Sequence, residues 1–388
     1  MDNTCGYALT FHVDASSSQQ VRAGQPLRKL YSRYMFDWET RLTTRDTNRV
    51  IRPFEWGLDW SRSWPNGDHP APEPLPDNND FAANERYLRS ITKRILANSD
   101  SFYSYEKPED FRLVNRVVPG ERQSSLTLQF TSPVHTPHPV NNTVSARWFP
   151  AKQPTKKAVV LLPHWNSKPD SYLSLCRILA RLGISTLRLS LPYHDSRLTA
   201  DTARSDYAVS PNIGRTINAT RQAVVDTRCC YDWLEQQGYD SFGIVGTSLG
   251  SCYAFLASAH DERIRVNAFN HASTYVADVV WTGQSTRHVR AGIEPAIDLD
   301  RLRHAWDAIS PMNYFSKFRQ KAKKILVIYA TYDLTFLPEY SLQVVDQFAA
   351  HGIDHTVKIL PCGHYSTGET PFKFMDGWHI GKFLKTSL

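Results

Sequence analysis

No stretch of this chain reaches the roughly 18 consecutive apolar residues that a membrane-spanning helix requires. The first thirty residues, MDNTCGYALTFHVDASSSQQVRAGQPLRKL, lack a basic start followed by an apolar run of about 7–15 residues. No membrane span and no secretory leader are therefore expected, and the expected location is the cytoplasm. Cysteine is sparse, six in 388 residues, with no CxxC pair. Cys229 and Cys230 are neighbours on an expected helix and cannot bridge each other in ordinary geometry, while Cys5, Cys176, Cys252 and Cys362 are scattered. Reduced thiols are expected, and a thiolate metal site is not. Also missing are a GxGxxG after a strand, a GxxxxGK[ST] phosphate loop and HExxH, so no cofactor or metal is expected. The net charge is +7, but the basic residues are spread thinly. Their densest run, Lys317 to Lys324 (KFRQKAKK), precedes a strand and reads as a solvated loop or helix face. With no recognition motif beside it, nucleic acid is not an expected partner.

What is present suits a globular protein: 41% hydrophobic and 21% charged residues. The length implies a core plus an extra segment. Residues 1–120 read as an N-terminal extension packed on a core at 121–388. The extension holds aromatics without clean periodicity (Tyr31, Tyr34, Phe36, Trp38, Trp56, Trp60, Trp64), a Pro-rich stretch at 65–80, and a helix over 82–98 with Leu88, Ile91 and Ile95 on one face. From Leu126 the pattern becomes regular. Leu126, Leu128 and Phe130 alternate, as do Val144, Ala146 and Trp148, which predicts an antiparallel pair. Strands at 158–162, 184–191, 242–245, 266–269, 325–330 and 355–360 then alternate with helices at about 170–182, 217–237, from 249, 338–351 and 373–385. Such alternation implies an α/β fold, with a mainly parallel central sheet flanked by helices.

Gly246-Thr247-Ser248-Leu249-Gly250 fits G-x-S-x-G between the strand FGIV and the helix-compatible run SCYAFLASAH. That strand–turn–helix context makes the pattern informative, because a serine on a sharp turn needs small flanking residues for strand and helix to approach. A serine hydroxyl also needs a base. Asp333 lies three residues past ILVIYA, and His364 four residues past HTVKIL, both at carboxyl ends of strands where open α/β sheets form their sites. The chain order Ser248, Asp333, His364 matches this architecture. His271 and His288 are rival bases, but neither follows the last strand. The backbone N–H groups of Leu249 and Trp165 are the candidate oxyanion donors. His164, beside Trp165, is either a supporting polar group or an ordinary loop residue.

On these residues, 143–388 resembles the α/β-hydrolase superfamily. More narrowly, FTSP (130–133), LPYHDSR (191–197), GYDSFGIVGTSLGS (238–251) and PCGHY (361–365) resemble the abhydrolase-domain-containing 18-like group. One departure stands out: Pro163-His164 occupies the place where many superfamily members carry His-Gly. The resemblance implies a serine hydrolase acting on esters, thioesters, amides or related bonds, with a small-molecule or lipid ester as substrate. A carboxylic-ester hydrolase is the leading expectation. A thioesterase or lipid deacylase, and a non-catalytic binding protein on the same fold, are the alternatives. Segments 192–216 and 271–310 are candidate lids. Their arginines (Arg197, Arg204, Arg215, Arg287, Arg290) either greet an anionic substrate or serve as ordinary salt-bridge partners.

Overall fold

The computed structural model describes residues 25–65, 74–77, 79–116, 125–319 and 322–388. Cys5 and most of the Pro-rich stretch lie outside the described residues. A nine-stranded sheet runs through the molecule in the order β1-β2-β3-β5-β4-β6-β7-β8-β9. Its strands are β1 (Arg112–Arg116), β2 (Ser125–Thr131), β3 (Thr143–Phe149), β4 (Lys157–Leu162), β5 (Ser185–Leu189), β6 (Ser241–Thr247), β7 (Ile264–Asn270), β8 (Lys324–Ala330) and β9 (Thr356–Leu360). Pairing is antiparallel from β1 to β5 by way of β2 and β3, and parallel from β5 onward. The expected antiparallel pair is β2 with β3, with Leu128 opposite Ala146. The sheet begins earlier than the sequence pattern suggested, because β1 lies inside the stretch read as extension. Leu113 on this edge strand is 43% exposed, so no buried face marks it in the sequence.

The principal helices are α1 (Gln25–Thr44), α2 (Phe81–Ala97), α3 (Leu173–Arg181), α4 (Ile213–Gln236), α5 (Leu249–Ala259), α6 (Val276–Thr282), α7 (Arg287–Ile293), α8 (Leu299–Ala305), α9 (Pro338–Ala350) and α10 (Phe372–Ser387). Two apolar layers sandwich the sheet. One joins Ala158, Val160 and Leu162 of β4 to α2, α4, α5 and α9. The other joins Val159 and Leu161 to Met35 of α1, Cys176 and Leu179 of α3, and Ile380 and Leu384 of α10. Burial of alternate residues in opposite layers is why β4 reads as an unbroken apolar run. Each fully buried Val or Leu there contributes about 1.5–3 kcal/mol.

Helix α4 begins at Ile213, four residues before its expected start, because the Asn212 side chain caps it by accepting from Arg215 N–H at 2.9 Å. It is buried almost all round. The N-terminal segment covers its outer face: Trp64 Nε1 donates to Asn218 Oδ1 (3.0 Å), and Arg221 Nε donates to the Phe102 carbonyl (2.6 Å). The basic run at 317–324 is not wholly solvated. The Lys323 ammonium is buried and donates to the carbonyls of Ser258, Asp261 and Ile264 at 2.7, 3.1 and 2.8 Å. These oxygens lie at and beyond the carboxyl end of α5, where carbonyls lack helical partners and attract cations. No described helix is long and apolar enough to cross a membrane. The five described cysteines are free and buried.

Candidate active site

Ser248 sits between β6 and α5 with φ 59° and ψ −124°, a conformation that costs a non-glycine residue roughly 1–3 kcal/mol. Hydrogen bonds hold the turn. Ser248 N–H donates to Asn270 O (2.8 Å), and Ser251 N–H donates back to Ser248 O (2.8 Å). Ser251 Oγ lies 2.6 Å from Ser248 O and 2.9 Å from His271 O. The flanking glycines are sterically required. A Cβ on Gly246 would lie 2.3 Å from Gly250 O, and one on Gly250 would lie 2.3 and 2.4 Å from the Leu162 and Pro163 carbonyls. Gly250 thus lets the start of α5 press against the end of β4, which brings the Pro163–Asn166 loop beside the serine.

That loop is pinned from outside. Asn166 N–H donates to His194 Nε2 (3.1 Å), and Asn166 Oδ1 accepts from Ser205 N–H (2.7 Å). Trp165 Nε1 donates to Ser205 O (2.9 Å), and its ring stacks on His288 at 5.7 Å and 4°. Among the described residues, the backbone N–H groups of Trp165 and Leu249 have no protein acceptor. His164 is bonded to Tyr172 Oη through Nδ1 at 2.7 Å. Burial, then the neighbouring His364, pushes its pKa down to about 3, so it stays neutral.

Asp333 follows β8 and is buried. Its Oδ1 accepts from Thr335 and Phe336 N–H (both 2.7 Å). Its Oδ2 accepts two imidazoles, His364 Nδ1 at 2.9 Å and His271 Nδ1 at 2.8 Å. Burial works against the Asp333 charge, but the histidines outweigh it and hold this carboxyl well below its usual range. The structure therefore joins the expected acid to the expected base and adds a second histidine. His271 follows β7, and its N–H bonds Ile328 O of β8 at 2.8 Å, so two adjacent parallel strands deliver His271 and Asp333 side by side. Burial and the charge of His364 lower the His271 pKa despite Asp333, and its Nε2 is buried without a partner. For His364, burial opposes the charged form, but Asp333 and then Glu39 raise its pKa above the ordinary value. The His364 ring lies between Phe336 (5.4 Å, 8°) and His271 (4.5 Å, 54°). His288, the other rival base, is not among the hydrogen-bond partners of this acid within the described residues and is the stacking partner of Trp165.

Among the described residues, His271, Asp333 and His364 are the one group of three whose metal-ligating atoms converge, within 4.8 Å of one another. Both Nδ1 atoms lie at hydrogen-bond length from Asp333 Oδ2, so hydrogen bonds account for this convergence.

Ser248, His271 and His364 line one cavity of about 1180 Å³. Val276, Val279 and Val280 of segment 271–310 also line it, as do Ile178 of α3 and Trp378 of α10. Of the lid arginines, Arg204 alone lines it, and it is paired with Asp46 (3.3 Å) and Asp206 (3.6 Å). The others have structural duties. Arg197 pairs with Asp226 at 2.8 Å, both fully buried; Arg215 lies 4.0 Å from the Tyr207 ring centroid; Arg290 pairs with Glu294 at 2.7 Å. Arg287 is exposed and outside the cavity lining. Sequence reasoning missed Asp376, a buried carboxyl on the cavity wall whose pKa burial pushes up to about 7. It also missed Glu39, which lies under the His364 loop.

No known family profile matches the chain, and no curated protein does. Solved structures do. Acetyl xylan esterase 1 from Thermoanaerobacterium sp. JW/SL YS485 superposes with a TM-score of 0.53 at 13% identity, over 86% of this chain and 99% of that one. Acetyl xylan esterase from Paenibacillus sp. R4 gives 0.52 at 11% identity, over 81% and 97%. Pyrococcus horikoshii acylaminoacyl peptidase gives 0.53 at 11% identity, over 72% of this chain and 42% of its own. Identities this low speak to architecture alone. Together with the strand order and the strand–serine–helix turn, they show that this chain has the α/β-hydrolase fold.

Proposed function

We propose that the protein is a serine hydrolase that cleaves carboxylic esters through an acyl-serine intermediate. The carrying observation is the strained Ser248 turn lining one cavity with His364, whose imidazole is bonded to Asp333. In this reading Ser248 Oγ attacks the acyl carbon while His364 Nε2 accepts its proton. The tetrahedral oxyanion is met by the free N–H groups of Leu249 and Trp165. Its collapse breaks the bond to the alcohol, which leaves with the proton from His364. Water then attacks the acyl-serine by the same route, releasing the acid and restoring Ser248. Asp333 holds the His364 tautomer and stabilises its imidazolium.

His364 is assigned as the base rather than His271, because the two carboxylates near it favour its charged form and burial disfavours that of His271. The valine lining and the cavity volume of about 1180 Å³ also support a lipid or thioester acyl group as an alternative to a short-chain ester. The narrower resemblance to the 18-like group stays part of this proposal on its sequence motifs alone; within LPYHDSR, His194 and Arg197 are fully buried, and His194 holds the candidate oxyanion loop. Free buried thiols are consistent with a cytoplasmic setting. The test is labelling with a fluorophosphonate probe. Wild type is expected to label, Ser248→Ala not at all, and His364→Ala only weakly. A folded wild type that stays unlabelled would move the binding-protein reading to the front.

A further inference from the structure

We infer that Glu39 of helix α1 is a positioning residue for His364, clamping the 363–366 loop so that the N-terminal segment forms part of the active site. The inference rests on the serine-hydrolase reading above. Glu39 is fully buried, and its carboxylate accepts from three donors of one loop. Oε1 accepts from Tyr365 N–H at 2.7 Å; Oε2 accepts from Ser366 N–H at 3.0 Å and Ser366 Oγ at 2.9 Å. Ser366 Oγ in turn accepts from Gly363 N–H at 2.7 Å, so the bonds close around the residues on both sides of His364. Gly363 is fitted to this clamp, because a Cβ there would lie 2.3 Å from Glu39 Cδ and Oε2. The same helix has a second anchor just ahead of this loop, where Tyr31 Oη donates to Pro361 O at 2.5 Å.

Among the described residues no lysine or arginine pairs with Glu39. A buried carboxylate without a cation is costly unless hydrogen bonds and a nearby charge favour it. The charge that can do so here is the His364 imidazolium formed during turnover. Burial pushes the Glu39 carboxyl up, the Tyr365 and Ser366 N–H groups draw it back, and His364 draws it back further. The influence is mutual, since Glu39 also raises His364. Among the described residues, the other titratable groups facing His364 are Asp333, His271, His164 and Tyr365. Asp333 therefore fixes the imidazole through Nδ1, and Glu39 fixes the backbone that carries it.

The test follows the His364 imidazole by NMR in protein labelled at histidine Cε1, assigned with His364→Gln, beside kcat/KM against pH. In Glu39→Gln the shape stays and the charge goes. The His364 titration is expected to fall by about one pH unit. The acid limb of kcat/KM, which needs neutral His364, moves down with it, and the plateau falls about 10-fold or more. Glu39→Asp keeps the charge and shortens the reach, so the titration stays near wild type while the plateau drops. Ser366→Ala removes two clamping bonds, Oγ to Glu39 Oε2 and Gly363 N–H to Oγ, and lowers the plateau with the limb in place. A Glu39→Gln protein whose His364 titration is unmoved overturns the inference, as does Ser366→Ala at full activity. A wild type that fails to label with fluorophosphonate, but whose His364 titration shifts in Glu39→Gln, removes the hydrolase reading and leaves the Glu39–His364 coupling standing.

Discussion

Two histidines share one carboxylate oxygen, and only one of them is assigned as the base, so His271→Leu should separate their roles. The substitution removes the 2.8 Å donor to Asp333 Oδ2 and, with it, an Nε2 atom that is buried and unpaired. A hydrogen bond to a charged group contributes about 1.5–3 kcal/mol, and an unsatisfied buried polar atom costs about 1–3 kcal/mol. The two changes oppose each other, so the net loss of stability should be under about 2 kcal/mol by urea unfolding. Asp333 keeps three donors, Thr335, Phe336 and His364. With one competitor gone, Asp333 holds the His364 imidazolium more strongly, and the acid limb of kcat/KM should move to higher pH. Turnover above that limb should change by less than about 10-fold, which is under 1.4 kcal/mol of barrier. Removing the true base of a serine triad costs on the order of 10⁶ in kcat. Steady-state hydrolysis of an activated aryl ester, measured on His271→Leu and His364→Ala side by side, decides the matter. A His271→Leu enzyme that is inactive, beside a His364→Ala enzyme that keeps its turnover and a normal acid limb, would refute the assignment and make His271 the base.

Other outcomes follow from the geometry. Ser248→Gly should abolish labelling yet raise stability by about 1 kcal/mol, since glycine tolerates φ 59° without strain; a less stable variant would contradict the strain argument. Asp376 is expected to titrate near 7 in the folded protein, so its stabilising contribution is complete below about pH 4 and is lost as pH rises to 7. Asp376→Asn should then be more stable than wild type at pH 8 by up to about 4 kcal/mol, less where the cavity solvates the carboxyl, and equal to it near pH 4 in denaturant unfolding. Arg197→Met leaves Asp226 buried with only Ser132 Oγ and should cost about 3–5 kcal/mol by the same measurement. Gly250→Ala should depress turnover about 100-fold or more at unchanged Ser248 chemistry, because its Cβ would displace the Leu162–Pro163 carbonyls that carry the Trp165 donor; turnover at the wild-type rate would sink that link.

The sheet was legible because its central strands are apolar on both faces and its paired strands β2 and β3 carry their apolar side chains on one. Each condition leaves its own periodicity, whereas β1 at the edge leaves none. The serine turn was legible because sterics confine its neighbours to glycine. Asp333 and His364 were legible through chain order. His271 was visible as a histidine at a strand end, and the parallel neighbourhood of β7 and β8 would have placed it beside Asp333. Glu39 offered no such signal: in sequence it is one acid on a helix with many exposed polar residues, and only the closed fold reveals its partner. Arg197 and Arg215 could be read either way in sequence, and the structure gives them the packing role. Charged residues on a candidate lid suggest substrate contact, yet tertiary packing turned both inward onto Asp226 and Tyr207.

The clamp between Glu39 and the Tyr365–Ser366 amides spans 326 and 327 positions of sequence. During synthesis the ribosome therefore releases helix α1 long before the loop it must hold exists. Its buried carboxylate and the Met35 face wait in solvent until β9 and α10 emerge, which is the kind of long-range closure that slows folding and exposes apolar surface to chaperones. The same delay acts as a safeguard. A nascent chain already carrying Ser248 has no seated His364, so on the proposed function hydrolysis waits until helix α1 and the His364 loop have met.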